Sequence, residues 1–391
     1  MDDSITLPRT LFSREHDQFR DQVRRFVARE IVPHHREWEQ AQKVPRELWQ
    51  KAGALGLLCC TVPEAWGGAG ADFLYSAIVL EELASAHAPG PGFGIHSEMA
   101  VPYIVNFGTD AQKRQWLPRL VSGDAIAGIA MTEPSAGSDL HAVRCCARPE
   151  DDGWRLSGQK VFISNGQLAD LFIVAAKIAG SEKLSVFIVD AASPGVARGR
   201  NLEKLGHHAQ DTSELFFSEV RLPAESLLGE AGQGFEFLMH GLARERLTIC
   251  VNCQARAEAV LRDTVAYVGD RQVFGATLSQ MQNTRFVLGT IKADLIAGRA
   301  LVDRLLLDHV NSCLDSATAA AAKLWVTEVL GRTVDACLQL HGGWGYMREY
   351  AISRAYADAR AERIAGGSSE VMKEIVARTL WPRRRRQSTV G

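Results

Sequence analysis

The period of the hydrophobic positions changes twice along this chain. Near the N-terminus, Phe19, Val23, Phe26, Val27 and Ile31 recur three or four residues apart, the spacing of one face of a helix. Ser13 is placed to cap that helix and Pro33 to end it. Similar patterns predict helices over 48–58, 76–86, 98–107 and 111–120. The glycine-rich string from Pro63 to Gly70 follows a helix rather than a strand and lacks the Lys-Ser/Thr pair of a phosphate loop, so it reads as a connecting turn. After Gly123 the apolar runs become short and rich in Val, Ile and Phe, over 160–164, 171–176, 184–190 and 214–220. Gly, Asp, Asn and Pro separate them, which predicts strands of a compact sandwich or barrel. Helical periodicity returns near Phe235, with one long example marked by Val287, Ile291, Leu295, Val302, Leu305 and Leu306. The expected fold is mostly α with a central β domain, divided at 1–125, 126–233 and 234–391.

Composition narrows the class of protein. The chain has 391 residues, 46% hydrophobic and 23% charged, with a formal net charge of −2, values ordinary for a globular enzyme. That balance gives no long-range attraction for nucleic acid. No window is long and apolar enough for membrane insertion. The N-terminal Met-Asp-Asp-Ser is acidic and has neither a signal peptide's apolar core nor a transit peptide's arginines, so a cytoplasmic location is expected. The run Arg383 to Arg386 reads as a solvated tail. Eight cysteines in a chain this long do not suggest a disulfide framework, and Cys250-Val-Asn-Cys253 lies in a helical pattern where small buried hydrophobes are expected. No histidine or cysteine cluster has metal-ligand spacing, and no metal site is expected.

Chemistry concentrates in two segments, Met131-Thr-Glu-Pro-Ser-Ala-Gly-Ser-Asp139 and Lys160-Val-Phe-Ile-Ser-Asn-Gly166. Thr132, Ser138 and Ser164 offer hydroxyls and Phe162 an aromatic ring. Strand alternation puts Phe162 and Ser164 on one side, spaced to touch one planar ligand. A flavin ring needs such donors along its N1/C2 edge and at N5, with apolar cover on one face. On residues alone, a flavin cradle and ordinary turn chemistry both remain open.

These segments resemble the acyl-CoA dehydrogenase family, which carries Thr-Glu-Pro-x-Ala-Gly-Ser-Asp followed by an aromatic-Ile-Thr/Ser-Asn-Gly string. The resemblance runs from the Pro-Glu-x-x-Gly-Gly turn at 63–68 to Ile375-Val-Ala-Arg378. Between them, in order, come Gln210-Asp-Thr212, Arg271-x-x-Phe-Gly275, Gln282, Gln339-Leu-His-Gly-Gly343 and Gly367-Ser-Ser-Glu370. Segments 160–166 and 338–347 look most like the long-chain branch. The resemblance implies an α–β–α three-domain architecture, FAD, a homotetramer, an acyl-CoA substrate of fatty-acid β-oxidation, and an electron-transfer flavoprotein as acceptor. It implies that Ile129, Met131, Thr132, Ser138, Phe162, Ile163 and Ser164 hold the flavin ring. Arg271, Phe274 and Gln282 are implied to reach the ADP half from a neighbouring subunit. Gln339, Gly342 and Gly343 are implied to approach the diphosphate, with Ser368 and Glu370 completing the cofactor set. Ser138, Arg246, Gly366 and Gly367 are implied on the substrate. Relatives that use the same fold as acyl-CoA oxidases, flavin monooxygenases or non-catalytic FAD/acyl-CoA binders are the alternatives.

Desaturating a thioester needs a carboxylate that takes the α proton in a dry pocket. Many members of the family take it from a Glu-Gly-Thr/Ser string, but here the matching string is Ala365-Gly-Gly-Ser368, with Gly366 in the glutamate's position. The long-chain and isovaleryl branches instead use a helical Glu-Arg-Leu string, matched by Glu245-Arg246-Leu247. The resemblance therefore makes Glu245 the base, while a solvated charge cluster with Arg244 and Arg246 is the alternative. Gly366 leaves room for that carboxylate, and its N–H is left to polarise the thioester carbonyl. Residues 93–102 are expected to line the far end of the acyl pocket. Glu98 within them is expected to face solvent or, failing that, to meet a polar group at the end of the acyl chain.

Overall fold

The structure, a computed structural model, describes residues 8–381; the acidic Met1–Ser4 and the basic run 383–386 lie outside the described residues. Helices α1 (Arg14–Phe26), α2 (His35–Ala41), α3 (Arg46–Ala54), α4 (Phe73–Ser85), α5 (Val101–Phe107) and α6 (Asp110–Ser122) come first. Ser13 caps α1 in a capping box with His16, as its sequence position predicts. The helix does not stop cleanly before Pro33: it widens into a π-helical turn over Val27–Ile31. A second π-turn, Ile95–Ala100, leads into α5 and fills the stretch expected to line an acyl pocket. The glycine-rich string is a connecting turn, with Gly67 at φ +88° and Gly68 so close to Val62 that a Cβ would lie 2.0 Å from its carbonyl oxygen.

Strands β1 (Ala127–Ala130), β2 (Cys146–Glu150), β3 (Gly153–Ser164), β4 (Leu171–Ile178), β5 (Leu184–Asp190), β6 (Val196–Asn201), β7 (Thr212–Pro223) and β8 (Leu227–Leu228) follow. They form one eight-stranded sheet in the order β6-β7-β3-β2-β4-β5-β8, with β1 parallel to β4. Strands β1 and β2 share one edge of β4, pairing with its first and last residues respectively. This places the turn between them, residues 131–145, beside the end of β3.

The remaining chain is helical: α7 (Gly234–Asp270), α8 (Gln282–Val310), α9 (Ser316–His341), α10 (Ala351–Glu362) and α11 (Ser369–Leu380), with a short hairpin of β9 (Gln272–Val273) and β10 (Ala276–Thr277) between α7 and α8. Two apolar cores result. One joins the first helices to the sheet, and the other joins α4 to α7, α8 and α9. Cys250 and Cys253 are buried in the second as small apolar side chains. Glu81 on α4 ties the helical regions together, accepting from Arg9, Arg20 and Arg299 at 2.8 Å each. Arg299 also grips Glu258 of α7 with two bonds of 2.9 and 2.6 Å. Burial alone would raise the Glu81 carboxyl, but the three guanidinium charges hold it well below the usual carboxylate range. No helix among the described residues is long and apolar enough to cross a membrane.

Candidate active site

The turn after β1 is fixed from inside the sheet. Lys160, fully buried, donates to the Met131 carbonyl at 3.0 Å and to the Glu133 carboxylate at 2.8 Å. Glu133 also accepts from the backbone N–H groups of Arg144 and Cys145, so its charge is satisfied on both oxygens. The turn closes on itself through reciprocal bonds between Glu133 and Ala136, and the Val161 N–H donates to the Thr132 carbonyl at 2.9 Å. Met131 and Thr132 are thereby held against β3 at the level of Lys160 and Val161, just before Phe162. Neither Lys160 nor Glu133 was singled out for a role from sequence, although a lysine opening an otherwise apolar strand run is a visible anomaly.

Phe162 does not sit in a regular strand. Between Lys160 and Ile163 the pairing with β7 slips by one residue, and Phe162 adopts φ +60°. This β-bulge breaks the alternation that would put Lys160 and Phe162 on one face: Lys160 turns inward and Phe162 outward, 67% exposed. An exposed aromatic ring in a left-handed backbone conformation is strained and gains nothing from the chain's own core. Ser164 remains on the more open side and Ile163 is buried. The turn after Ser164 is anchored in its turn by Asp211 of the Gln210-Asp-Thr212 string, which accepts from the Gln167 N–H at 2.6 Å. Ile129 is partly buried in β1, and Ser138 is exposed at the outer end of the turn. Thr132 and Ser164 are partly exposed and Phe162 turns its ring outward, groups of the kind a flavin ring uses.

A second group assembles at the far end of the C-terminal helices. Arg271, Gln339, Gly342 and Gly343 line one cleft of about 490 Å³, together with Tyr267, Trp344 and Met347. Gly342 has φ +58°, and a Cβ on Gly342 or Gly343 would meet open space. Packing within the chain therefore does not demand glycine at 343, whereas close approach by an outside group does. Phe274, 100% exposed at the tip of the hairpin, and Gln282, exposed at the first turn of α8, stand outside this cleft. The fork of Arg271 and the open glycine backbone suit a diphosphate.

Glu245 sits on α7, where Tyr103 of α5 donates to its carboxylate at 3.3 Å. Burial raises the Glu245 carboxyl to about 7, despite the Tyr103 hydrogen bond and the charge of Arg246, both of which lower it. One helical turn on, Ile249 meets the loop between α10 and α11: a Cβ on Gly366 would lie 2.4 Å from the Ile249 Cδ1. The structure thus packs the Gly366 loop against the α7 turn that follows Glu245. The flanking arginines are not a solvated cluster. Arg246 is buried and donates to the carbonyl and hydroxyl of Ser316 at 3.0 and 2.6 Å, tying α7 to α9 and leaving its Nε without an acceptor among the described residues. Arg244 bonds Glu98 and Thr61, and its guanidinium lies over the Phe73 ring.

Glu98 corrects one expectation. It is 3% exposed and paired with Arg244, not turned to solvent. The π-turn over 95–100 widens the helix there, and the carboxylate is buried against α7, where the Arg244 guanidinium offsets its burial. Gly367 adjoins Gly366 in the loop with φ +92°. Ser368 caps α11 by accepting from the Val371 N–H, and Glu370 is exposed in the first turn of that helix.

Family models for the acyl-CoA dehydrogenase N-terminal, middle and C-terminal domains match residues 13–124, 128–220 and 232–381. The chain is 46% identical over 377 residues to the mitochondrial long-chain specific acyl-CoA dehydrogenase of Sus scrofa, covering 95% of this chain and 88% of that one. Its fold matches the crystal structure of acyl-CoA dehydrogenase from Geobacillus kaustophilus with a TM-score of 0.94 and 41% identity, covering 95% of this chain and 100% of that one. It also matches an acyl-CoA dehydrogenase from Bacillus anthracis complexed with FAD, with a TM-score of 0.90 and 30% identity over 97% of this chain and 69% of that one. The chain belongs to the acyl-CoA dehydrogenase family.

Proposed function

We propose that this protein is an FAD-dependent acyl-CoA dehydrogenase that converts a medium-to-long or branched acyl-CoA to its trans-2-enoyl-CoA. The observation that carries the reading is the Glu245 carboxyl, hydrogen-bonded by Tyr103 at 3.3 Å and raised by burial to about 7, on the α7 turn before the one that packs against Gly366. Glu245 takes the α proton on its carboxylate, and burial keeps water from competing for that site. The Gly366 N–H donates to the thioester carbonyl and so acidifies the α proton. FAD, when bound, accepts the hydride released from Cβ. Thr132, Ser138 and Ser164, with the Phe162 side chain, hold the flavin ring. The cleft of Arg271, Gln339, Gly342 and Gly343 takes the diphosphate of a neighbouring subunit's FAD. The exposed Phe274 and Gln282 fit the same neighbour, in a homotetramer. Electrons pass on to an electron-transfer flavoprotein.

Anaerobic titration of the purified yellow protein with acyl-CoAs of graded length and branching tests this reading. Bleaching of the flavin by at least one of them is the expected result, with slow reoxidation in air. Fast reoxidation would make it an oxidase. No bleaching by any acyl-CoA would refute the dehydrogenase reading.

A further inference from the structure

Lys323 lies in the first half of α9, its side chain buried at 1% exposure, with no carboxylate in contact among the described residues. Its Nζ donates to two backbone carbonyls, those of Ala365 at 2.7 Å and Gly367 at 2.5 Å. These oxygens flank Gly366 on either side. A buried ammonium held only by neutral carbonyls is costly, and an apolar side chain of the same length would fill the space more cheaply. The arrangement calls for an account of what the charge does.

Peptide planarity supplies one. The Ala365 carbonyl and the Gly366 N–H belong to the same trans peptide unit and point in opposite directions. Fixing the oxygen on Lys323 therefore aims the Gly366 N–H away from α9. The second bond, to Gly367, fixes the Gly367–Ser368 peptide, so the chain is held on both sides of Gly366, whose φ of +61° and missing side chain would otherwise leave it free to turn. The Gly366 N–H has no acceptor among the described residues. Beside the Lys323 stem, the Ile249 side chain closes off the space where a Cβ on Gly366 would sit, 2.4 Å from its Cδ1.

We propose that Lys323 is a positioning residue for the reaction: it holds the 365–367 loop so that the Gly366 N–H is presented to the thioester carbonyl. The inference rests on the reading of Gly366 given under Proposed function. Lys323 touches neither substrate nor cofactor and acts through the two carbonyls alone. A lysine that merely capped the end of α10 would stabilise the fold without affecting how the protein discriminates one ligand atom.

The test compares a saturated acyl-CoA with the S-alkyl-CoA of equal length, which lacks the carbonyl oxygen. Both are bound to holoenzyme carrying Glu245→Gln, so that the thioester is not turned over, and Kd is read from the perturbation of the flavin spectrum. With Lys323 present, the thioester is expected to bind roughly tenfold more tightly than the thioether. With Lys323→Met added, that preference falls at least fivefold while the thioether Kd changes by less than twofold. An intact preference in the FAD-loaded Lys323→Met protein overturns the proposal, as does equal weakening of both ligands. Absence of any preference with Lys323 in place overturns the role of Gly366 itself, and the proposal with it. Should Lys323→Met not retain FAD, Lys323→Gln, which keeps a donor but loses the charge and the reach to both carbonyls, replaces it and is expected to give an intermediate preference; an unchanged preference there counts against the proposal.

Discussion

Removing the Tyr103 hydroxyl is expected to move the pH dependence of proton abstraction in a direction the structure dictates. Three influences set the Glu245 carboxyl: burial raises it, the Tyr103 hydrogen bond lowers it, and the Arg246 charge lowers it, with a net position of about 7. Tyr103→Phe deletes the second and leaves the ring in place. At 3.3 Å the bond is long for an O–H donor, so it is worth about 1 kcal/mol, or roughly 0.7 of a pKa unit. The base should then titrate higher by about that amount, so that near the midpoint of its titration the ionised fraction falls about threefold. The rate of flavin bleaching under anaerobic stopped-flow conditions is expected to drop about threefold at pH 7 and to be unchanged at pH 9. The tyrosine itself cannot supply this limb, because burial and then the neighbouring Glu245 push its phenol well above its ordinary value. An acid limb that stays put or moves down would refute the reasoning. A loss equal at every pH would assign Tyr103 to substrate placement instead.

Other consequences follow from the buried charges. Glu81→Gln leaves Arg9, Arg20 and Arg299 around a neutral group, and denaturant unfolding should show a loss of about 3–5 kcal/mol. In the unaltered protein this carboxyl is lowered on folding, so its contribution is full above the unfolded carboxylate value of about 4.5 and is lost as pH falls below it; acid unfolding should weaken correspondingly in the variant. Lys160→Met leaves the buried Glu133 carboxylate without its cation and frees the Met131 carbonyl, and the purified protein is expected to lose FAD, measured by the 450 nm band per polypeptide, by more than tenfold in affinity. Retention of the full flavin content would show that the turn does not depend on this pair.

Much of the framework was legible because its signals are local. The cap at Ser13, the apolar runs of β4 and β5, and the period of α8 each declare themselves within a dozen residues. β1 and β2 did not: Ala127–Ala130 is small except for Ile129, and Cys146–Glu150 holds a proline and two charged positions. Both are strands because β4 offers them an edge, which no window of sequence reveals. The β-bulge at Phe162 depends on the register with β7 and so was also invisible. Phe162 and Ser164 still share the open side, but over 162–164 alone. Glu98 misled because a charge in a helix is usually solvated, and its partner Arg244 lies 146 residues away. Tyr103 and Lys323 gave no signal for a related reason. One is an ordinary aromatic in an apolar helix, and the other bonds only to backbone carbonyls more than forty residues distant.

The central claim is that Glu245 removes the α proton, and one substitution addresses it directly. Glu245→Gln keeps the size of the side chain and its contact with Tyr103 while removing the base. The variant is expected to purify yellow, to bind acyl-CoA with a shift of the flavin spectrum, and to show no anaerobic bleaching over a time in which the parent protein bleaches completely. Complete bleaching of that variant at an undiminished rate would contradict the account.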